Sequence, residues 1–114
     1  MPLEGRDDTL AALAGLLDRA ETASAFLKAL GHEGRLTILC HLTGGAKSVT
    51  ELENLLDQRQ AAVSQQLARL RLEGLVSARR EGHAIFYSIS DERVRATVAL
   101  LGQLFATGTA QDRR

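Results

Sequence analysis

The sequence predicts a mainly helical fold that carries a single β-hairpin near its C-terminal end. Apolar residues recur at helical spacing over most of the 114 residues, and the only proline is Pro2. Because proline stops helices, its near absence favours long helices over a loop-rich fold. Close to the end the pattern changes to strict alternation around Ile85, Tyr87 and Ile89, which is typical of a strand. The length suits one domain, residues 1–114, without an internal repeat.

The first helical region covers about residues 7–30, as one long helix or two abutting helices. Its apolar positions follow helical spacing in two groups: Leu10, Leu13, Leu16 and Leu17, then Ala23, Phe26, Leu27 and Leu30. A third helix is predicted from about His32 to Thr43, because Gly44-Gly45 follows it. The side chains expected to point inward there are Leu36, Leu39 and Leu42.

The central region begins with Ser48-Val-Thr-Glu51, which has the form of a capping box. A short amphipathic helix follows from it, with Val49, Leu52, Leu55 and Leu56 on its apolar side. After a tight turn at 57–59, the next helix is predicted to run from about Gln60 to Glu73, and Gly74 is a natural stop. Its buried stripe is Val63, Leu67 and Leu70.

Two short runs, 76–80 and 84–89, flank the turn Glu81-Gly82-His83 and predict a β-hairpin. Ser90 is then expected to cap a last helix over about 91–106, with acidic residues in its first turn. The apolar stripe of that helix is Val94, Val98, Leu101 and Phe105. The predicted order is therefore α-α-α-α-α-β-β-α.

A short helix, a tight turn and a second helix at about 48–74, followed by a hairpin at about 76–89, form a winged helix-turn-helix. The second helix fits the major groove only if its exposed face holds polar groups that reach base edges. Glutamine can bond an adenine edge through both amide atoms, and serine can donate or accept. The exposed face is predicted to hold Gln60, Ala61, Ser64, Gln65 and Arg69.

The arginines are expected to meet phosphates, or the minor groove in the case of the hairpin. The candidates are Arg59 and Arg69 around the second helix, and Arg79, Arg80 and His83 on the hairpin. Although the net charge of the chain is zero, residues 58–83 carry five arginines and two glutamates, a net charge of +3. An ordinary solvated surface is the alternative, and the arginine-bearing hairpin behind a capped helix argues against it.

The composition argues against several other classes of protein, namely membrane proteins, secreted proteins and enzymes. No apolar run approaches the ~18 residues of a membrane helix, so we expect no membrane partner and, from the acidic start, no signal peptide. One cysteine, Cys40, allows no intrachain disulfide and favours the cytoplasm. Cys40 and His41 are neighbours on a helix and cannot face each other as a nucleophile and base, so an enzyme is not expected. No cofactor is predicted.

The chain resembles the ArsR/SmtB family of repressors over about residues 22–106. The resemblance rests on "VSQQLARLRLEGLV" at 63–76 with "IFYSI" at 85–89, and on the segment 27–36. Within the family it resembles the branch that contains BigR, SqrR, HlyU and NolR. The resemblance implies a homodimer formed by the first and last helices, about 7–30 and 91–106, which represses by binding double-stranded operator DNA and releases it on a signal.

The family's metal ligands are missing from the matching positions. Cysteines of one family site are replaced by Lys47, Ser48 and Val49, and of the last-helix ligands only Asp91 is kept, beside Arg93, Leu104 and Thr107. Zinc needs three or four convergent ligands, so no metal site is predicted; the three histidines are scattered. They are His32, His41 and His83.

Cys40 matches the first cysteine of the family's persulfide- and redox-sensing dithiol branch, whose second cysteine falls here at Ala106. Either this member has lost the switch, or Ala106 replaces a natural cysteine. Three interpretations of Cys40 stay open: a thiol modified alone by an oxidant or a reactive sulfur species, a broken switch, and a small buried core residue. A regulator without any ligand is therefore an alternative, and a helical protein–protein interaction module is a further one.

Overall fold

The computed structural model describes residues 3–57 and 59–105, except for the side chains of residues 3–6 and 60. In this part of the chain there are six helices and one small sheet, and no helix is long and apolar enough to cross a membrane. The elements are α1 (Leu3–Asp18), α2 (Ala20–Leu30), α3 (Glu33–Leu42), β1 (Lys47–Ser48), α4 (Val49–Leu56), α5 (Gln60–Leu72), β2 (Val76–Glu81), β3 (Ala84–Ile89) and α6 (Glu92–Phe105).

The first helical region consists of two abutting helices, separated only by Arg19 at φ −117° and ψ 26°. The leucines of α1 at positions 10, 13, 16 and 17 lie on the surface of the chain, whereas α2 buries Ala29 and Leu30 at its end. Helix α3 begins after His32, whose Nδ1 accepts a hydrogen bond from the Gly34 amide at 3.0 Å. This histidine therefore acts as an N-cap, a role that residues with side-chain acceptors fill.

The core is formed by α3, α4, α5 and the sheet, with the start of α6 packed against it. The predicted stripe of α5 is confirmed, since Val63, Leu67 and Leu70 are fully buried. On α3, however, Leu36 is only half-buried and Ile38 is fully buried beside Leu39 and Leu42. Helix α3 contacts other elements on more than one side, so its buried positions extend beyond a single stripe.

The helix-turn-helix is α4 followed by α5, and the predicted capping box is confirmed. Ser48 Oγ accepts from the Glu51 amide at 3.2 Å, and Glu51 Oε1 accepts from the Ser48 amide at 2.9 Å. The helix ends at Asp57, which adopts the left-handed conformation at φ 53° and ψ 47°. Aspartate tolerates this conformation better than most residues, and it turns the chain sharply toward α5.

The hairpin is confirmed, with two differences from the prediction. Glu81 pairs with Ala84, so the strand is one residue longer and the connecting loop is only Gly82-His83. Gly82 has φ +63°, which suits a two-residue hairpin loop. In addition, β1 pairs antiparallel with β3 and makes a three-stranded sheet in the order β1-β3-β2. This extra strand ties the start of α4 to the hairpin.

Ser90 does not cap the last helix, contrary to the prediction. Its Oγ donates to the Gly74 carbonyl at 3.1 Å and so fastens the hairpin's exit to the end of α5. The cap is Asp91, whose Oδ1 accepts from the Arg93 amide at 2.9 Å. Along the predicted stripe of α6, Val94 is fully buried, Val98 and Leu101 are half-buried, and Phe105 is exposed. Ala106 and Thr107 lie outside the described residues.

Candidate nucleic-acid interface

Helix α5 presents one polar face to solvent while its opposite face is fixed in the core. Of the predicted reading residues, Ala61, Ser64, Gln65 and Arg69 are all exposed, and Gln60 occupies the first helical position. A helix about 10–12 Å across fits a major groove about 12 Å wide. Short polar side chains on such a face are what direct contact with base edges requires.

The arginines near α5 differ in whether their guanidinium groups have an ion-pair partner. Arg69 Nε lies 3.2 Å from Glu73 Oε2, one turn further along the same helix. An exposed ion pair of this kind is worth only about 0.2–1 kcal/mol, so a phosphate can compete for the guanidinium. Arg59 precedes the helix as its N-cap, is exposed, and has no ion pair within the described part of the chain. Arg71, which was not among the predicted contacts, is also exposed on α5.

The two hairpin arginines point to opposite faces of the sheet, because neighbouring residues on a strand alternate. Arg79 is paired across the strands with Phe86, and Arg80 with Ile85. Arg79 also bonds Glu81, two residues further on the same face, with 2.5 Å between Nη2 and Oε2. Arg80 has no such pair among residues 3–57 and 59–105. Of the two, it is the arginine that is ready to meet an anion.

A groove of about 300 Å³ lies between the start of α4 and the tip of the hairpin. His83, at the loop, and Thr50, in the first turn of α4, both line it. Thr50 is exposed. It was not predictable from the sequence, because its position beside the hairpin depends on the pairing of β1 with β3. A threonine hydroxyl at this position can donate to a phosphate oxygen.

Cys40 is exposed on α3, so its interpretation as a small buried core residue is wrong. Its predicted partner position, Ala106, lies outside the described residues. Of the three histidines, His32 is the cap of α3, His41 lies in the last turn of that helix, and His83 lies in the hairpin loop. No group of three or more His, Cys, Asp or Glu side chains that could hold a metal ion occurs in residues 3–57 and 59–105.

A second cavity, also about 300 Å³, lies between α2, the end of α5 and the start of α6. Arg93 lines it and is stacked over Phe26, with its guanidinium carbon 5.2 Å from the ring centroid. The same guanidinium is bonded to Asp91 at 2.6 Å. The hydrogen bond from Arg93 lowers the pKa of Asp91 below its ordinary value of 3.8, with only partial opposition from burial.

A capped helix, a left-handed turn, a polar-faced second helix and a three-stranded sheet with an arginine-bearing hairpin together define a winged helix-turn-helix protein. Residues 32–78 match the family model described as bacterial regulatory protein, arsR family. The chain is 45% identical over 83 residues to the transcriptional activator HlyU of Vibrio cholerae, covering 73% of this chain and 77% of that protein.

Two further comparisons agree with this match. The HTH-type transcriptional regulator YgaV of Escherichia coli is 44% identical over 94 residues, covering 82% of this chain and 95% of that protein. The crystal structure of the transcriptional repressor BigR from Xylella fastidiosa superposes with a TM-score of 0.78 at 36% identity, covering 81% and 94% of the two chains. The chain therefore belongs to the arsR family of bacterial transcription regulators.

Proposed function

We propose that this protein is a homodimeric repressor that binds operator DNA through α5 and the hairpin. The observation that carries the proposal is the exposed face of α5, where Ser64 and Gln65 stand opposite the fully buried Val63, Leu67 and Leu70. This arrangement fixes the helix from behind and leaves hydrogen-bonding groups in front. Such a regulator acts where the chromosome is, so we expect it in the cytoplasm.

In the proposed complex, Gln60, Ser64 and Gln65 contact base edges, and Ala61 lies against them, where its methyl group can meet a thymine methyl. Arg59, Arg69 and Arg80 contact phosphates, with Arg80 entering the minor groove if that groove is narrow. Arg79 and His83 are secondary contacts in this scheme. Arg79 is secondary because its ion pair with Glu81 must break before it can bind a phosphate.

The homodimer is supported by apolar side chains that one chain leaves in solvent. On α1 the exposed fractions are 58% for Leu10, 49% for Leu13 and 74% for Leu17, and on α6 the fraction for Phe105 is 68%. Helical stripes of this kind are buried when a second copy packs against them in an isologous interface. A dimer also carries two copies of α5, which matches operators with two half-sites.

Repression is the direction we favour because a dimer bound across two half-sites covers the DNA that a polymerase would need. Relatives are named in both senses, since HlyU is called an activator and BigR a repressor. A reporter gene placed behind the protein's own upstream DNA tests the direction. We expect expression to fall when the protein is supplied, and a rise would overturn the repressor assignment while leaving DNA binding intact.

DNA binding itself is tested with duplexes selected from a random pool by the wild-type protein. Gln60→Ala is expected to cost about 1–3 kcal/mol per half-site and to relax the sequence preference. Arg80→Ala is expected to weaken binding to every sequence and to reduce the salt slope by about 0.9 per lost phosphate contact. A protein–protein interaction module would bind without a steep salt slope, and that outcome would overturn the proposal.

The signal, if there is one, is expected to be limited by position 106. A dithiol switch ties two helices together, and a single thiol at Cys40 has nothing to be tied to. Tetrasulfide or oxidant should therefore leave the DNA affinity of this chain unchanged, whereas Ala106→Cys should create a loss of binding that a reductant reverses. Reversible loss in the unaltered chain would instead show that Cys40 senses alone, by oxidation or persulfidation.

A further inference from the structure

Arg35, on α3, bonds two other helices at once. Its Nε donates to the Ala29 carbonyl at 2.6 Å and its Nη2 to the Lys28 carbonyl at 3.2 Å, both in the last turn of α2. Its Nη1 donates to Oε1 of Gln66 on α5 at 3.2 Å. The planar guanidinium presents these donors in a rigid fork, which a lysine ammonium cannot reproduce.

The guanidinium of Arg35 caps the C-terminal end of α2. The last carbonyls of a helix have no partner within the helix, and a glycine in the left-handed conformation often supplies one. Gly31, which follows α2, has φ −76° and does not adopt that conformation. Arg35 satisfies the carbonyls of Lys28 and Ala29 instead. The end of α2 is thus held by a side chain that belongs to the next helix.

At α5 the same guanidinium donates to the side chain of Gln66. Gln66 is half-buried and directly follows the exposed Gln65. The contacts of Val63, Leu67 and Leu70 are apolar and have no directional preference, so they tolerate small rotations of the helix about its axis. A rotation of about 10° moves a side-chain tip by about 1 Å on a helix of this radius. A directional hydrogen bond to Gln66 resists that rotation.

We propose that Arg35 is a positioning residue for DNA sequence recognition, which sets the rotation of α5 through Gln66 and links it to the last turn of α2. The inference rests on the proposed DNA-binding function. It assigns no DNA contact to either residue: Arg35 acts through Gln66, and Gln66 acts through the placement of Ser64 and Gln65.

The test compares two substitutions of Gln66 that differ in one acceptor atom. Gln66→Met keeps the length of the side chain but removes Oε1, whereas Gln66→Glu keeps an acceptor for Arg35. The readout is the ratio of affinities for a duplex selected by the wild type and for a scrambled duplex of equal composition. We expect Gln66→Met to lower this ratio on the order of tenfold, the discrimination carried by about one good base contact.

Gln66→Glu should keep the ratio within about twofold of the wild type. Its added negative charge is repelled by the phosphates of either duplex, so it lowers both affinities alike. If Gln66→Glu lost as much as Gln66→Met, Gln66 would contact the bases itself and the positioning role would be overturned. If Gln66→Met kept the wild-type ratio, even with a lower melting temperature, the hydrogen bond would be merely structural and the inference would fail.

Arg35→Lys tests the other end of the link with the charge preserved. Its matched control is Arg95→Lys, since Arg95 Nη1 donates to the Thr43 carbonyl at 3.3 Å, just after α3, and does not bond α5. We expect Arg35→Lys to lower the ratio, Arg95→Lys to leave it unchanged, and Arg35→Lys with Gln66→Met to add little to either alone. Equal losses for the two lysine variants would overturn the inference.

Failure of the proposed function is distinguishable in the same experiment. If the wild-type protein selects no sequence and binds both duplexes equally, the DNA-reading proposal itself falls and the inference falls with it. If the wild type discriminates and the Gln66 variants do not differ, only the inference falls.

Discussion

The half of the molecule formed by α3, α4, α5 and the sheet completes its core within one chain, whereas α1 and the end of α6 do not. Leu52, Val63 and Leu67 have no exposed surface, but Leu17 is 74% exposed and Phe105 is 68% exposed. Both regions are rich in leucine, so composition does not separate them. What separates them is whether an element of the same chain lies opposite the apolar face.

This contrast indicates a division of labour. The buried half holds α5 and the hairpin in a fixed relation, through the capping box, β1 and the bond between Ser90 and Gly74. The outer helices, α1 and the end of α6, leave apolar side chains exposed. Those side chains are available to pack against a second copy of the chain. A large exposed leucine also occurs in the buried half, since Leu72 on α5 is 82% exposed. Because Leu72 is exposed and lies outside α1 and α6, its variants serve as controls for substitutions of the other leucines.

The largest expected loss comes from opening the core. Leu67→Ala should lower the free energy of unfolding by about 2–5 kcal/mol, because the site is fully buried and the removed atoms leave a cavity. Urea denaturation followed by circular dichroism measures it. Leu72→Ala, on the same helix, is the matched control and should change stability by no more than about 0.5 kcal/mol. Similar losses from both would contradict the division into buried and exposed leucines.

The next effect concerns the outer helices. Leu17→Glu should convert the dimer to monomers at micromolar concentration, because each copy would bring a carboxylate into an apolar interface. An increase of about 100-fold in the dissociation constant corresponds to about 2.7 kcal/mol. Sedimentation velocity measures the change, and Leu72→Glu should remain dimeric. A wild type that is monomeric at micromolar concentration would remove the dimer from the proposal altogether.

A smaller effect is expected at the start of α4. Ser48→Ala removes the acceptor for the Glu51 amide and should cost about 1 kcal/mol of stability. Thermal unfolding measures the loss, with Thr50→Ala in the same helix turn as the control. If the capping box also fixes the hairpin through β1, Ser48→Ala should lower the free energy of DNA binding by more than it lowers the free energy of unfolding. Equal stability of Ser48→Ala and wild type would show that the cap contributes nothing measurable.

The fold was predictable where local chemistry decides it. Helical periodicity, the Ser48 capping box and the alternation before Ile89 each depend on residues close in sequence. The strand β1 was not predictable, because two residues carry no period and Lys47 becomes a strand only by pairing with Tyr87. Ser90 and Asp91 were both acceptable caps by local preference. The tertiary bond of Ser90 to Gly74 decided between them.

The candidate site was predictable in its exposed residues but not in their relations. The polar face of α5 followed from periodicity, and Ser64, Gln65 and Arg69 are indeed exposed. The link from Arg35 to Gln66 spans 31 positions, and no local pattern announces it. Likewise, the exposure of Cys40 depends on which side of α3 the neighbouring helices cover. Contacts of this kind become visible only when the elements are packed together.

The smallest effect should come from the charge of Asp91, at the junction between the buried half and α6. Its carboxylate accepts the Arg93 amide and bonds the Arg93 guanidinium, and the side-chain hydrogen bond from Arg93 is the main reason that its pKa lies below 3.8. A carboxyl group whose pKa is lower in the folded state stabilises the fold when it is ionised. The stabilisation is therefore present above about pH 4 and is lost as the pH falls through the lowered pKa.

Asp91→Asn isolates that charge, because asparagine keeps a cap acceptor for the Arg93 amide. At about pH 7 the variant should be less stable than the wild type by about 1 kcal/mol or less, because the Arg93 side chain is 64% exposed, although that of Asp91 is only 15% exposed. The two proteins should converge as the pH falls below 3.8 and through the lowered pKa of Asp91, because the wild-type carboxylate then becomes protonated. Urea midpoints at about pH 7 and at successively lower pH values measure the difference between the two proteins. A difference that stayed constant with pH would mean that geometry at the start of α6, and not the ion pair with Arg93, is what Asp91 provides.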